Sequence, residues 1–451
     1  MEHRKRVAQA LAAAMLCGAL TRRGLIKRCA VVVGRRYVWL QGLVDRTIAE
    51  FGRGSRPRKF RLERFILNDQ KFFRAYERRS VRFVLQPAFR PKMCPASGPP
   101  RKWKVRSIRT TGDLAQWLNL LPEELFWLAD RRSQEQKLPP GRLRHYFYRW
   151  HSKRDGSARL IESPKQLLKS IQRRLLREIL DRIPAHDAAH GFRRKRSVLS
   201  FVEPHIKREV VLKLDLKDFF PGILRARIIA IFLTAGYPEP VAELLAGLCT
   251  NSTPGDVIKA CPAVATPMQL RRMKLLYQRP HLPQGAPTSP SLANLATYQL
   301  DCRLAGLAKA LGADYTRYAD DLVFSGNEEF ARKADRFYIH VCAIALEEGF
   351  EVQTRKTRIM RQSVSQRAGG IVLNDHMNVS RAYYERIKAI LHNCIIHGPA
   401  AQNRSGVADF RAHLSGQVAH VEMVNPARGK KLRSQFEQIN WGDSGRPYFL
   451  S

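Results

Sequence analysis

Two short apolar runs on either side of an acidic pair constrain the fold more than any other part of this sequence. Residues 315–318 and 322–325 contain aromatic and β-branched residues, and only Ala319, Asp320 and Asp321 separate them. Runs this close together can pair only as the antiparallel strands of a hairpin, because a parallel pair needs a long crossover. We therefore predict an α+β fold with an antiparallel sheet, rather than a doubly wound parallel one.

The remaining hydrophobic pattern predicts strands that alternate with helices. Further strand-like segments lie at 145–150, 159–162 and 210–216. Helical spacing occurs at 7–20, 37–51, 111–130 (divided at Pro122), 167–182, 292–311, 331–348 and 381–397. Thr110, Thr111 or Asp113 is available as the cap of the helix near 111. A Pro/Gly-rich segment at 95–100 predicts a linker.

Charge indicates a polyanionic partner. The chain has 79 Lys and Arg against 39 Asp and Glu, a formal net charge of +40 that is spread along its whole length. An unusually basic solvated surface explains forty charges poorly, whereas nucleic acid explains them directly.

The cysteines and the apolar segments indicate a cytoplasmic protein. No two of the eight cysteines have the ~2–4-residue spacing of a zinc knuckle, so we expect free thiols in a reducing cytoplasm. The apolar segment 7–20 runs into Thr21, Arg22 and Arg23 without a cleavage site, and we interpret it as a short amphipathic or buried helix. No run of ~18 uncharged apolar residues predicts a membrane span.

A second acidic segment follows a different apolar strand. Asp215 ends the run that begins at Val210, and Asp218 follows closely. A carboxylate on a rigid strand opposite an acidic pair suits two divalent metal ions ~3.5–4 Å apart, an arrangement that transfers phosphoryl groups between nucleotides. Each acidic element alone is weak evidence, because a strand can end in a solvated Asp and an Asp-Asp pair arises by chance in a chain of this composition.

A Gly/Pro-rich loop, residues 282–290, precedes a helix predicted from about Ser291. Its glycine and prolines restrict the backbone just before a helix N-terminus, where main-chain N–H groups can approach a nucleotide and its template base. An ordinary Pro-rich loop would not require Gln284 and Gly285 at its start.

Taken in order, the acidic segment at 215–220, the loop at 282–290 and Tyr318 to Asp321 resemble the palm motifs of reverse transcriptases, and in particular of bacterial retron reverse transcriptases. Agreement extends to the blocks 153–161, 189–197, 349–357 and 366–393. The resemblance covers roughly residues 110–400. It implies a right-hand polymerase, with fingers and an antiparallel palm at 106–375 and a helical, RNA-binding thumb at 376–451. Residues 1–105 match none of these motifs, and we expect them to form a basic, mainly helical N-terminal extension.

The resemblance also implies the catalytic residues. Asp215, Asp320 and Asp321 would coordinate two Mg²⁺ ions, with the Leu216 carbonyl as a further ligand. Asp218 would support this group without binding metal. Lys356 is at the motif position of a residue able to protonate departing pyrophosphate.

Further positions match the nucleotide-binding residues of the family: Lys153, Arg154, Arg159, Phe220, Gln284 and Gly285. Arg159, with Lys153 or Arg154, would hold the triphosphate of the incoming nucleotide. Phe220 would leave no room for a 2′-hydroxyl, so deoxynucleotides should be preferred. Gln284 and Gly285 would contact the template base and the incoming nucleotide.

A retron enzyme would use a structured non-coding RNA as template and primer, start from a 2′-hydroxyl of an internal guanosine, and yield a branched RNA–DNA hybrid. Such systems resemble antiphage defence modules. A possible effector protein is therefore among the expected partners, and we expect no association with a membrane. We expect no endonuclease or long maturase region in the roughly 55 residues after Gly398.

Two segments depart from the retron pattern. Residues 368–370 are Ala-Gly-Gly instead of Val-Thr-Gly, and the Asn-Ala-x-x-His signature has only Asn251 to Gly255 as a candidate, without the histidine.

Two alternatives remain open. One is a group II-derived or other defence-associated reverse transcriptase that makes no dedicated branched product. The other is a non-catalytic RNA-binding scaffold that keeps the palm fold. The scaffold predicts a missing carboxylate or a broken Gln-Gly loop, and this sequence has neither.

Overall fold

A computed structural model of the protein describes residues 2–18, 20–52, 57–78, 103–152, 158–262 and 266–441. The strands are β1 (Tyr146–Ser152), β2 (Ala158–Pro164), β3 (Val210–Asp215), β4 (Asp314–Tyr318), β5 (Asp321–Gly326), β6 (Arg358–Arg361), β7 (Arg367–Ala368) and β8 (Ile371–Val372). The predicted linker at 95–100 lies outside the described residues.

The chain divides into a first unit, Met1–Ala185 with Asp218–Thr297, and a second unit, His186–Lys217 with Tyr298–Ser451. The first unit contains helices α1 (Glu2–Leu16), α2 (Arg22–Val33), α3 (Val38–Phe51), α4 (Lys59–Leu67), α5 (Gln70–Glu77), α6 (Thr111–Leu118), α7 (Pro122–Ala129) and α8 (Gln166–Glu178). The short α9 (Val198–Val202) belongs to the second unit. The first unit continues with α10 (Phe219–Gly222), α11 (Arg225–Thr234), α12 (Glu239–Cys249), α13 (Gly255–Lys259), α14 (Pro267–Tyr277) and α15 (Ser289–Ala296). The second unit ends with α16 (Tyr298–Ala310), α17 (Glu328–Glu347), α18 (Arg381–His397), α19 (Phe410–Val424) and α20 (Pro426–Glu437).

Helices α1 to α5 share one apolar core within the first unit. Leu11 and Met15 are one helical turn apart on α1, and both are fully buried together with Leu40 and Phe72. The helices predicted at 7–20 and 37–51 are thus found as α1 and α3, whereas α2 was not predicted. Within the same unit, Arg58 contacts Glu239 and Glu243 on α12, so this helical group is not isolated from the residues that follow it.

Capping defines the predicted pair of helices near residue 111. The Thr110 hydroxyl accepts a hydrogen bond from the Asp113 amide at 3.0 Å, and the Asp113 carboxylate accepts one from the Thr110 amide at 3.2 Å. Pro122 is the first residue of α7, where its missing N–H leaves no helical hydrogen bond unmade. Of the three possible caps, the structure therefore selects Thr110.

The second unit is built on a four-stranded sheet of order β4-β5-β3-β6, in which every neighbouring pair is antiparallel. The predicted hairpin is β4 and β5. Strand β3 lies in the interior of the sheet, and its continuous apolar run is buried, including Val210, Val211 and Leu212. The predicted α+β fold with an antiparallel sheet is therefore confirmed.

The single helix predicted at 292–311 is two helices in the structure. Helix α15 ends at Ala296, and α16 begins at Tyr298. The Thr297 hydroxyl between them donates to the Ala293 carbonyl at 2.9 Å, a bond back to the preceding turn that bends or ends helices. Apolar spacing continues across this break, which is why periodicity alone predicted one helix.

Helices α18, α19 and α20 pack around a group of apolar side chains that also includes Val211 of β3. Helix α18 begins after Ser380, whose hydroxyl accepts from the Tyr383 amide, and its bounds agree with the prediction of 381–397. Leu391 on α18 is buried with Val418 on α19 and Leu432 on α20.

Among all described residues, no helix is both long and apolar enough to cross a membrane. No disulfide joins two of the described cysteines, and Cys94 lies outside the described residues.

Candidate active site

The sheet register brings the three predicted acidic residues to one end of the four-stranded sheet. Asp215 and Asp321 are direct partners across β3 and β5. Ala319, with a φ of 56°, forms the turn between β4 and β5, so that Asp320 follows immediately at the tip. The Leu216 amide donates to the Asp320 carbonyl at 2.8 Å, which links the end of β3 to this turn. The carboxylates therefore belong to a rigid, hydrogen-bonded sheet end.

Two lysines contact these carboxylates. The Nζ atom of Lys356 lies 2.8 Å from Oδ2 of Asp215, and that of Lys213 lies 3.1 Å from Oδ1 of Asp321. Burial opposes the charge of Lys356, yet Asp215 raises its pKa. Burial and the nearby Asp215 carboxylate raise the pKa values of Asp320 and Asp321. The site therefore concentrates negative charge that cations stabilise.

The donor set fits a hard divalent cation, because carboxylate oxygens are the ligands that such ions prefer. Among the described residues, no three acidic, His or Cys side chains are already arranged as a closed metal cluster. Lys356 and Lys213 instead occupy positions beside the carboxylate oxygens. Metal binding would require these ammonium groups to share or give up the carboxylates.

Residues 188–191 support the acidic turn from behind. The Arg317 amide donates to the Ala188 carbonyl at 2.7 Å, and the His190 amide donates to the Arg317 carbonyl at 2.8 Å. A Cβ atom added to Gly191 would lie only 2.8 Å from the Ala319 nitrogen. A glycine is therefore needed where this segment meets the turn.

We expect Gly191→Ala to lower the polymerisation rate by about 10–100-fold, because the added methyl group displaces the turn that carries Asp320. Single-nucleotide incorporation under single-turnover conditions measures this rate. Gly306→Ala on α16 is the matched control, since its Cβ meets open space. Equal rates in the two variants would show that the close contact at Gly191 has no bearing on catalysis.

The predicted nucleotide-binding residues that can be described lie in the first unit. Phe220 is half-buried and stacks edge-to-face on the buried Phe219, with ring centroids 5.3 Å apart. Arg159 is exposed on β2. Asp218, with a φ of 49°, precedes α10 and forms an ion pair with Arg272 at 2.8 Å. Lys153 and Arg154 lie outside the described residues.

The Gln284–Gly285 loop is held against strand β2. The Glu162 amide donates to the Gln284 carbonyl at 2.8 Å. Gly285 has a φ of 127°, a conformation available to glycine, and a Cβ there would lie 3.1 Å from the Glu162 carbonyl oxygen. The glycine thus permits the loop to approach the strand closely.

An ion pair that the sequence analysis missed lies behind this loop. Oε2 of Glu162 is 2.9 Å from Nε2 of His281, and both side chains are almost completely buried. Nδ1 of His281 faces the Arg279 carbonyl at 2.8 Å, so an imidazolium can donate from both nitrogens. Burial opposes both charges, but each partner stabilises the other, which raises the pKa of His281 and lowers that of Glu162.

This pair predicts a pH-dependent contribution to stability. The contribution of His281 to the free energy of unfolding is complete below its ordinary pKa of 6.5 and is lost as pH rises through the raised pKa. The contribution of Glu162 is complete above its ordinary pKa of 4.5 and is lost as pH falls through the lowered pKa. The free energy of unfolding of wild type minus that of His281→Gln should therefore be largest between pH 4.5 and 6.5 and decline above it. Urea titrations at pH 5.5, 7 and 9 measure this difference, and an increase towards pH 9 would contradict the charged pair.

Other site residues were missed for different reasons. Lys213 precedes Asp215 by two residues on the same strand, so the two-residue period of β structure could have identified it. Asp301 and Arg317 form a fully buried pair beneath the turn, and no local pattern connects them.

Gly369 and Gly370 form the two-residue turn between β7 and β8, both with positive φ, as such hairpins require. A side chain at 369 would also collide with Val198, which explains a glycine in place of the usual retron threonine.

Comparison with known proteins shows which family the chain resembles. Residues 151–373 match the family described as reverse transcriptase (RNA-dependent DNA polymerase). The chain is 34% identical over 348 residues to the retron Mx162 reverse transcriptase of Myxococcus xanthus, an alignment that covers 74% of this chain and 68% of that protein. The chain belongs to the retron reverse transcriptases. It is also 40% identical over 298 residues to the retron Mx65 reverse transcriptase of M. xanthus, with 65% of each chain covered. For the retron Ec86 reverse transcriptase of Escherichia coli, the identity is 30% over 282 residues, which cover 62% of this chain and 76% of that protein.

Membership confirms the predicted resemblance and, with it, the right-hand polymerase fold of a reverse transcriptase domain. The chain spans about two thirds of the length of the two M. xanthus relatives. Reverse transcriptase domains use divalent metal ions, and the acidic sheet end of this retron reverse transcriptase has suitable donors. The individual roles of its site residues stay predictions.

Proposed function

We propose that this protein is an RNA-directed DNA polymerase in which Asp215, Asp320 and Asp321 hold two Mg²⁺ ions, with the Leu216 carbonyl as a further ligand. The register that aligns Asp215 with Asp321 at the end of the palm sheet is the observation that carries the proposal. When bound, such ions lower the pKa of the primer hydroxyl and neutralise charge on the transferring phosphate. The protein contributes a rigid frame for the three carboxylates.

Lys356 is the proposed proton donor to departing pyrophosphate. Its Nζ atom lies beside Asp215, and about half of the side chain is exposed. A lysine is protonated at neutral pH, and Asp215 raises the pKa of Lys356 further, so its ammonium group carries a proton that it can donate. Asp218 forms an ion pair with Arg272, and its proposed role is to support the acidic segment 215–220 without binding metal.

The proposed substrates are deoxynucleoside triphosphates. Arg159, with Lys153 or Arg154, would hold the triphosphate by charge-assisted hydrogen bonds. The Phe220 ring would exclude a 2′-hydroxyl, and its contact with buried Phe219 limits how far it can yield. The Gln284–Gly285 loop would contact the template base and the incoming nucleotide.

A cognate structured non-coding RNA is the proposed template and primer, and the product is a branched RNA-linked single-stranded DNA that acts in antiphage defence, with a possible effector protein. The net charge of +40 supports an RNA partner. In the proposed thumb at 376–451, Arg381, Arg386 and Lys388 are exposed on α18, where they can reach phosphates. The extension at 1–105 and the body at 106–375 complete the proposed domains, and a cytoplasmic location stays a prediction.

Co-expression tests this function. We would express the protein with its flanking non-coding DNA, beside an Asp320→Ala/Asp321→Ala double variant, and analyse the co-purifying nucleic acid. RNA-linked DNA that appears only with the intact carboxylates supports the retron activity. Synthesis on a supplied primer and RNA template without a branched product favours the group II-derived or other defence-associated alternative. No synthesis in either assay rejects the polymerase.

A further inference from the structure

A cluster of buried polar side chains surrounds one carboxylate of the first unit. Oε1 of Glu162 accepts hydrogen bonds from Nδ2 of Asn251 and from Oγ1 of Thr253, both at 2.8 Å. Oε2 of the same carboxylate is 2.9 Å from Nε2 of His281. All four side chains are at most 3% exposed. Three chain segments, far apart in sequence, thus meet on a single buried charge.

This cluster is joined to the Gln284–Gly285 loop through the backbone. His281 exchanges two main-chain hydrogen bonds with Asn251, each of 2.9 Å, just before the loop begins. The next residue, Leu282, donates to the Ile223 carbonyl at 2.9 Å. Two residues further along, Gln284 accepts a hydrogen bond through its carbonyl from the Glu162 amide at 2.8 Å. The start of the loop is therefore attached to the cluster at two points, through His281 and through Glu162.

A buried charged cluster is a costly way to stabilise a core. Replacing such a pair by well-packed apolar residues is often neutral or stabilising, so stability alone does not account for it. Its hydrogen bonds are directional, however, and each one specifies a distance and an orientation. A polar cluster therefore suits a place where backbone position matters more than total stability.

We propose that Glu162, Asn251, Thr253 and His281 are positioning residues that hold the Gln284–Gly285 loop in the geometry required to bind the incoming nucleotide and check its pairing. The inference rests on the proposed function, since it takes the loop to be the nucleotide-contacting element. All four side chains are almost completely buried, so they would act through the loop and not by contact with the nucleotide. Asn251, which the sequence offered as a remnant of a retron signature, thereby acquires a role inside the protein.

The kinetic test uses Glu162→Gln and Thr253→Val on a supplied primer and RNA template. Glu162→Gln removes the charge and keeps the shape, and Thr253→Val removes one buried donor. We expect KM for the correct deoxynucleotide to rise about tenfold in Glu162→Gln, with kcat changed by less than about threefold and misincorporation increased. The matched control is Tyr237→Phe, which removes a buried hydroxyl bonded to the Arg106 carbonyl at 2.8 Å, elsewhere in the same unit.

Hydrogen exchange of the folded proteins gives a readout that needs no activity. Peptides spanning 282–290 should exchange faster in Thr253→Val than in wild type, and Tyr237→Phe should leave them unchanged. Unchanged KM, fidelity and loop exchange in both folded cluster variants would overturn the proposal, as would equal effects in Tyr237→Phe. A wild type that incorporates no nucleotide would reject the proposed function instead, and with it the nucleotide-binding part of this inference.

Discussion

Asp320→Asn is expected to lower DNA synthesis by at least about 10³-fold while the protein stays folded. The substitution removes one of three carboxylates proposed to hold the metal ions, so the transition state loses several kcal/mol of charge stabilisation. The folded state has no comparable need for this charge, because burial and Asp215 raise the pKa of Asp320 and so disfavour its ionised form. Single-nucleotide incorporation with Mg²⁺ measures the rate, and urea denaturation measures the stability.

The matched control is Asp335→Asn, which removes an exposed carboxylate from α17 in the same unit. We expect full activity and a free energy of unfolding within ~0.5 kcal/mol of wild type. Asp320→Asn should be as stable as wild type or slightly more stable, since a repelled charge is lost. If it keeps more than a tenth of the wild-type rate, Asp320 is not an essential ligand.

Arg317→Leu should have the largest effect on stability, a loss of about 3–5 kcal/mol. Nε and Nη2 of Arg317 donate to the two carboxylate oxygens of Asp301 at 2.8 and 2.7 Å, and both side chains are completely buried. The Tyr315 hydroxyl also donates to Asp301 at 2.8 Å. Removing the guanidinium leaves a buried carboxylate without its countercharge. Urea or thermal denaturation measures the loss.

Two further variants separate the buried pair from charge in general. Arg303→Leu breaks partly exposed ion pairs with Glu347 and Glu348, and should cost no more than about 1 kcal/mol. The double variant Asp301→Leu/Arg317→Leu should be less destabilised than the sum of its single variants, because it leaves no unpaired charge. Additive losses would argue against a coupled pair.

The Arg317 pair also connects stability to the active site. Nη1 of Arg317 donates to the Ala319 carbonyl at 3.1 Å, in the turn that carries Asp320. Arg317→Leu should therefore reduce activity even below its unfolding temperature, whereas Arg303→Leu should not. This comparison uses the fraction of folded protein in each sample to correct the measured rates.

Elements with local causes were predictable from the sequence. The hairpin of β4 and β5 needs only two apolar runs and a short connection, and the helix at 381–397 follows from its spacing and from Ser380. The order of the motifs also led to Asp215, although it lies more than a hundred residues before Asp320. That step used resemblance, because no pattern of spacing shows which distant carboxylates will meet.

Tertiary structure alone decided which charges are paired. From its sequence alone, Lys356 could have been a surface lysine. The bridge between Val352 and Leu216 aligns the segment before β6 with the end of β3, and this alignment brings Lys356 to Asp215. Glu162 and His281 are 119 residues apart, and each looks like an ordinary polar residue in its own segment. Hydrophobic period and capping act over one or two turns of chain, so they determine elements. Buried hydrogen bonds form between elements once these have packed together. The sequence therefore determined the acidic hairpin and its supporting helices, whereas the tertiary fold decided which charged side chains pair around them.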